Sequence, residues 1–133
     1  MKPFLLLFLT LMISSAELIV EVSGVKNAKG KVGLLVFTSE EGFPEDRKKA
    51  AYEIQLKAQK GVMRFKIPDL KAGQFGFVVL HDENENQKLD KTFIGYPKEG
   101  IAIPNYQKLA RPKFAKAVLK TPKSPVKLKM LYP

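Results

Sequence analysis

Apolar and polar residues alternate along most of the chain after residue 17, and turn-forming residues interrupt the alternation at short intervals. A period of two residues is typical of a strand with one buried face, and no segment sustains the 3.6-residue period of a helix. We therefore predict an all-β fold, a small antiparallel β-sandwich of about seven strands. The predicted strands are 18–22, 32–36, 54–58, 63–67, 75–80, 126–130 and a short one within 113–120.

One predicted strand differs from the others because it is apolar on both faces. Residues 75–80 read Phe-Gly-Phe-Val-Val-Leu, which is typical of a central strand covered on both sides. Residues 39–49 contain Gly42, Pro44 and many charges, and they predict a long surface loop with one helical turn.

The length and the composition limit the chemistry that the chain can perform. A chain of 133 residues fits one domain, for which we predict residues 17–133. It has no Cys and a single His, which excludes disulfides, thiolate chemistry and any site that needs two imidazoles. Carboxylate, amide, hydroxyl and amine chemistry remains.

The first 16 residues have the features of a secretory signal peptide. Lys2 precedes an apolar run from Phe4 to Ile13, and Ser14-Ser15-Ala16 supplies the small residues that a signal peptidase requires. The run is shorter than the roughly 20 residues of a transmembrane helix. We therefore expect an exported protein, periplasmic or extracellular, with no transmembrane segment after signal removal.

The densest cluster of polar side chains is an acidic and amide-rich loop at 82–90. Its alternating oxygen ligands have the spacing of a calcium loop, although Gln87 replaces the usual glycine and Phe93 the usual terminal acid. The same residues also suit a turn whose Asp and Asn side chains bond its own backbone. Both interpretations remain open, with Ca²⁺ as the candidate cofactor. The candidate ligands are Asp82, Asn84, Asn86, Asp90 and, by its carbonyl, Lys88.

The single histidine precedes this loop and permits two interpretations. A small periplasmic hydrolase would use His81 with Asp82, Asp90 or Glu99 as acid and base. Neighbouring residues on a strand point to opposite faces, which favours instead a structural histidine at a strand end that bonds loop backbone. We expect a protein that is not an enzyme and has no catalytic residues.

The segment from Leu70 to Gly100 contains His81-Asp82, Asn84, Asn86 and Leu89-Asp90 in the loop, followed by Gly95, Pro97 and Glu99-Gly100. This pattern resembles the signature of a bacterial secreted family, the domain of unknown function 2141. The resemblance implies a signal peptide followed by a small prealbumin-like or immunoglobulin-like sandwich, and it implies no activity. In the loop, Gln87 replaces the family's glycine. The matching residues are Gly73, Phe75, His81, Asp82, Asn84, Asn86, Leu89, Asp90, Gly95, Pro97, Glu99 and Gly100, followed by Asn105 and Pro112-Lys113-Phe114.

Basic residues are concentrated after Glu99, where eight Lys or Arg occur without any acid. They suit adhesion to an anionic envelope surface, but also the solvated face of an ordinary sandwich. Nucleic acid is not expected, because no aromatic platform accompanies the lysines. We expect a secreted binding or structural module whose partner is an envelope protein or an anionic envelope surface. The candidate surface residues are Lys108, Arg111, Lys113, Lys116 and Lys120.

Overall fold

The computed structural model describes residues 17–85 and 99–133, and within them seven strands form a β-sandwich. The all-β prediction is confirmed. A 3₁₀ turn at Arg47–Lys49 and a single turn of helix, α1 (Phe114–Ala117), are the helical elements of these residues. The strands are β1 (Leu18–Val25), β2 (Lys31–Phe37), β3 (Tyr52–Lys57), β4 (Gly61–Ile67), β5 (Gly76–Asp82), β6 (Gly100–Ala102) and β7 (Val126–Lys129).

The strands form a three-stranded sheet in the order β4-β1-β7 and a four-stranded sheet in the order β3-β2-β5-β6. Every pair is antiparallel except β1 and β7, which run parallel with Val20 opposite Val126. This parallel pair departs from the antiparallel sandwich predicted from the sequence. The alternation reveals which residues are buried but not the direction in which the last strand returns along β1.

The main core lies between the two sheets and contains the alternate apolar residues of the predicted strands. Since successive side chains on a strand point to opposite faces, one residue in two enters this layer. Phe65 and Phe77 are completely buried in it, and the rings of Phe75 and Phe77 stack with centroids 5.9 Å apart. The non-aromatic members from the strands are Val20, Val22, Val25, Val32, Leu34, Val36, Met63, Ile67, Val79, Ala102, Val126 and Leu128.

A second apolar cluster covers the outer face of the four-stranded sheet. Phe37 and Val78 of that sheet pack there with Ile103 and Ala117, which come from the irregular C-terminal segment. Phe43 from the long loop contacts the rings of both Phe37 and Phe114, each at a centroid distance of 5.5 Å. Strand β5 is therefore covered on both faces, as its doubly apolar sequence predicts.

Two elements differ from the sequence prediction. The strand predicted within 113–120 is wrong: residues 114–117 form α1, whose Phe114 lies against Gly76, and Leu119 makes only an isolated bridge with Phe75. Strand β6 was not predicted, because three residues carry too short a pattern to recognise. The long loop with one helical turn is confirmed. None of the helices in the described residues is long and apolar enough to cross a membrane.

Candidate functional site

The end of β5 sends its last two side chains to opposite faces of the four-stranded sheet. His81 follows Phe77 and Val79 into the space between the sheets and is completely buried. Asp82 lies on the outer face, where it lines a small cavity with Lys31 and Arg47. The structure therefore does not bring His81 and Asp82 together, as the alternation of strand side chains predicts.

Both ring nitrogens of His81 are hydrogen-bonded within the protein. Nε2 lies 2.7 Å from the carbonyl oxygen of Lys29, which can only accept, so Nε2 carries a proton and donates it. Nδ1 lies 2.7 Å from the hydroxyl of Tyr132, and that hydroxyl also accepts the backbone N–H of Lys26 at 2.9 Å. In the tautomer with its proton on Nε2, Nδ1 is the acceptor and the Tyr132 hydroxyl is the donor. We call Lys26, Lys29, His81 and Tyr132 the His81 junction.

The junction joins three distant parts of the chain at one end of the sandwich. Lys26 and Lys29 belong to the turn between β1 and β2, His81 ends β5, and Tyr132 is the penultimate residue. Burial raises the pKa of the Tyr132 hydroxyl above its ordinary value, the backbone N–H of Lys26 acts in the opposite direction, and the carboxylate of Glu83 adds to the increase. The sequence-based expectation that His81 bonds loop backbone is confirmed by its contact with the Lys29 carbonyl.

Two glycines leave the space that the junction needs. Gly100 is paired with His81 across β5 and β6, and a Cβ there would approach Cζ of the Tyr132 ring at 2.7 Å. Gly30 has a φ of 66°, and a Cβ there would overlap the carbonyl oxygen of Asp82 and approach that of Glu83 at 2.8 Å. A side chain at Gly100 would displace the Tyr132 ring from the junction, and one at Gly30 would push the β1–β2 turn away from the end of β5.

The start of the acidic loop is attached to the same β1–β2 turn. Nδ2 of Asn27 donates to Oε1 of Glu83 at 2.8 Å, while Oδ1 of Asn27 accepts the backbone N–H of Lys29 at 2.9 Å. Glu85 has a φ of 56°, and its N–H points to the carbonyl oxygen of Asp82 at 3.4 Å. The loop therefore leaves β5 through a turn held by side-chain and backbone contacts.

The predicted calcium ligands lie only partly within the described residues. Asp82 is half-buried at the end of β5 and Asn84 is exposed in the following turn, whereas Asn86, Lys88 and Asp90 lie outside the described residues. Among residues 17–85 and 99–133, no three His, Asp or Glu side chains converge in a manner that could hold a metal ion. The calcium loop stays a prediction.

Comparison with known proteins adds the family. Residues 20–129 match the model of the family described as uncharacterized proteins conserved in bacteria, DUF2141. The chain belongs to that family. The resemblance recognised in the loop and the segments around it is thereby confirmed. No curated protein and no solved structure matched this DUF2141 chain.

The outer-face cavity of the DUF2141 chain is small and is lined by paired charges. It encloses about 40 Å³ above Gly33, with Lys31, Arg47, Glu53 and Asp82 among its lining residues. Arg47 forms a bidentate pair with Glu53, and this hydrogen-bonded carboxylate raises the pKa of the guanidinium. This pair orders the loop that covers the sheet. Nothing in the loop sequence indicated that Arg47 would return to β3.

The structure describes two of the three acids that the hydrolase interpretation names. Asp82 faces the outer cavity, Glu99 is buried directly before β6, and Asp90 lies outside the described residues. The two ring nitrogens of His81 are occupied by Lys29 and Tyr132. A general base needs a ring nitrogen within reach of its substrate.

The predicted basic surface residues are all exposed, and they lie on the segment that follows β6. Lys116 lies over the ring of Tyr106, 4.5 Å from its centroid, and the backbone N–H of Lys113 donates to the Tyr106 hydroxyl at 2.8 Å. Tyr106 in turn packs on the second apolar cluster. The five residues are Lys108, Arg111, Lys113, Lys116 and Lys120.

Proposed function

We propose that this DUF2141 chain is an exported, non-catalytic β-sandwich that serves as a binding or structural module. The observation that carries the proposal is the complete hydrogen bonding of its only imidazole inside the protein. His81 is fully buried, and its two nitrogens bond Lys29 and Tyr132. Without an available imidazole, the chain lacks the side chain that most often acts as acid and base near neutral pH.

The hydrolase alternative is weaker for a geometric reason. With Asp82 as the partner of His81, both would have to act on one substrate, yet the two side chains lie on opposite faces of a sheet that is packed on both sides. A substrate on the outer face would be separated from the imidazole by the sheet itself. The position of Asp82 favours a role in the charged cavity and the loop.

Export is part of the proposal and rests on the first 16 residues. Their positive start, short apolar core and small residues at the end have the order of a secretory signal. Cleavage after Ala16 would leave Glu17 directly before β1. Mass spectrometry of the protein recovered from the periplasm or medium of an expressing bacterium tests this. A chain recovered only in the cytoplasm with residues 1–16 intact would contradict it.

Calcium binding by the acidic loop is the second part of the proposal, and it rests on the spacing of the oxygen side chains. The ion would take the side chains of Asp82, Asn84, Asn86 and Asp90 with the carbonyl of Lys88. The base of this loop is held by the His81 junction and by the bond from Asn27 to Glu83. A fixed base reduces the entropy lost when the loop closes on an ion.

The non-catalytic role is tested by chemical modification of the single histidine. Diethyl pyrocarbonate reacts with accessible neutral imidazole, and mass spectrometry locates the adduct at His81. We expect no adduct at His81 in native protein under conditions that modify it fully in urea, because the ring is buried and hydrogen-bonded. Modification of the native protein at the rate found in urea would contradict the proposal.

A further inference from the structure

The outer face of the three-stranded sheet carries a basic surface that contains none of the five candidate surface residues between Lys108 and Lys120. Its side chains alternate with those of the main core, because Met63, Phe65, Val126 and Leu128 point inward. Lys127 and Lys129 belong to the basic C-terminal stretch, but Arg64 and Lys66 come from β4. We call the following residues the sheet face: Ile19, Glu21, Ser23, Val62, Arg64, Lys66, Lys127 and Lys129.

The strand register fixes how these cations are arranged. Glu21 on the central strand β1 lies opposite Arg64 of β4 on one side and Lys127 of β7 on the other. In the same way, Ile19 lies opposite Lys66 and Ser23 opposite Lys129. Neighbouring strands are about 4.8 Å apart, and side chains on one face repeat about every 6.7 Å along a strand. The cations therefore form two columns that flank β1.

The charge of the sheet face is strongly one-sided. It has four cations and one carboxylate, and that carboxylate, Glu21, pairs with Arg64 at 3.3 Å. Lys66, Lys127 and Lys129 are exposed, and within residues 17–85 and 99–133 none of the three forms an ion pair. The face thus has a net charge of +3 spread over a plane.

The two sheets differ in what covers their outer faces. The four-stranded sheet is covered by the second apolar cluster, which includes Tyr106, Leu109 and Phe114. On the three-stranded sheet, Val62 is 48% exposed, and it is the one exposed large apolar side chain recorded for the described residues. In the described part of the chain, the sheet face therefore presents aliphatic groups beside lysines at the protein surface.

We propose that the sheet face binds the anionic headgroup surface of a phospholipid membrane. Its charge is distributed in two dimensions, as is the charge of a membrane surface. Its cations are mainly lysines, which are mobile point charges suited to a diffuse negative field rather than to one fixed ligand. Ile19 and Val62 add apolar contact at the headgroup boundary. No aromatic residue belongs to the face, so it lacks the stacking platform used by single-stranded nucleic acid binders.

Two variants of equal charge change test this assignment. The first replaces Lys66, Lys127 and Lys129 by Gln, which leaves the Arg64–Glu21 pair intact. The matched control replaces Lys108, Arg111 and Lys113 by Gln, on the segment that covers the other sheet. Each protein is purified as the host exports it, with its N-terminus established by mass spectrometry, and its thermal unfolding confirms that it folds.

Binding is measured by co-sedimentation with vesicles of phosphatidylglycerol and phosphatidylcholine, and with vesicles of phosphatidylcholine alone. We expect the wild-type protein to bind only the anionic vesicles and to dissociate at high salt. The sheet-face variant should lose on the order of 100-fold in partition coefficient, because each of the three cations near the surface contributes about fivefold. The control variant should stay within about threefold of wild type, because its replaced cations lie farther from the membrane.

Four results would overturn the proposal. If the wild-type protein does not bind anionic vesicles, the sheet face is not a membrane-binding surface. Equal losses in the two variants would mean that net charge alone drives binding. A larger loss in the control variant would assign binding to the C-terminal stretch around Lys108 instead. Tighter binding to soluble polygalacturonate, lost in the sheet-face variant, would assign the sheet face to an acidic polysaccharide.

Discussion

Removing the hydroxyl of Tyr132 should destabilise the fold by an amount that follows from the junction. In Tyr132→Phe, the backbone N–H of Lys26, an exposed residue, can bond water instead, so its loss costs little. Nδ1 of His81 is completely buried and would lose its donor at 2.7 Å. An unsatisfied buried acceptor costs roughly 1–3 kcal/mol, so we expect a loss of about 2 kcal/mol.

Urea unfolding followed by circular dichroism measures this loss. At a typical slope for a small domain, about 2 kcal/mol per M, the midpoint should fall by about 1 M with the slope unchanged. His81→Leu and the double variant complete a mutant cycle, in which the coupling between the two side chains should be about 1 kcal/mol or more. A Tyr132→Phe midpoint equal to that of wild type, or strictly additive effects in the cycle, would refute the hydrogen-bonded junction.

Three further predictions concern the same end of the sandwich. Gly100→Ala should lower the free energy of unfolding by roughly 1–3 kcal/mol, because its Cβ would meet the Tyr132 ring. Gly73→Ala is the control: Gly73 has open space around it, so this change should be neutral or slightly stabilising. Equal thermal midpoints in the two variants would contradict this prediction. The raised pKa of Tyr132 means that unfolded protein loses this proton first as the pH rises above 10. The stability that Tyr132 contributes should therefore be complete below pH 10 and decline above it. The difference in urea midpoint between wild type and Tyr132→Phe should accordingly shrink above pH 10. A midpoint difference that stays constant with pH would contradict this prediction. If the acidic loop binds Ca²⁺ at the ~10⁻⁴–10⁻³ M affinity of extracellular modules, ~10 mM Ca²⁺ should stabilise the protein by about 1–3 kcal/mol, with the gain lost in EDTA and in Asp82→Asn. Identical thermal midpoints in Ca²⁺ and EDTA would rule out calcium binding by the acidic loop.

The strand pattern was predictable because burial on one face leaves a direct record in the sequence. Val20 and Val22 on β1, or Met63 and Phe65 on β4, are buried at every second position, and the alternation identifies them without any tertiary knowledge. The doubly apolar β5 was predictable for the same reason. These features depend only on which residues avoid water.

The remainder of the fold depends on contacts between residues distant in sequence. The parallel return of β7 along β1 and the short β6 are set by pairing partners rather than by local pattern. The turn of helix at 114–117 forms where a strand was predicted, because Phe114 packs against Phe43 and Gly76. Tertiary packing there overrides the local preference of a segment bounded by prolines.

The role of His81 was predictable in kind but not in its partners. Because neighbouring side chains on a strand point to opposite faces, the sequence already predicts that His81 and Asp82 lie on different faces of the sheet. Nothing in the sequence indicated that Tyr132, 51 residues away, would supply the second hydrogen bond. Likewise, Lys127 and Lys129 were visible in the basic C-terminal stretch, whereas their neighbours Arg64 and Lys66 became apparent only through the register of β4, β1 and β7.

The tautomer of the single histidine tests the central claim most directly. Long-range ¹H–¹⁵N correlation spectra distinguish a proton on Nε2 from one on Nδ1, and with one His in the chain the signals need no assignment. We expect one ordered ring with its proton on Nε2 and with Nδ1 as an acceptor, because Nε2 faces the Lys29 carbonyl and Nδ1 the Tyr132 hydroxyl. A proton on Nδ1, or a rapidly exchanging mixture of tautomers as in free histidine, would contradict the two hydrogen bonds to Lys29 and Tyr132. The imidazole would then be available for acid–base catalysis.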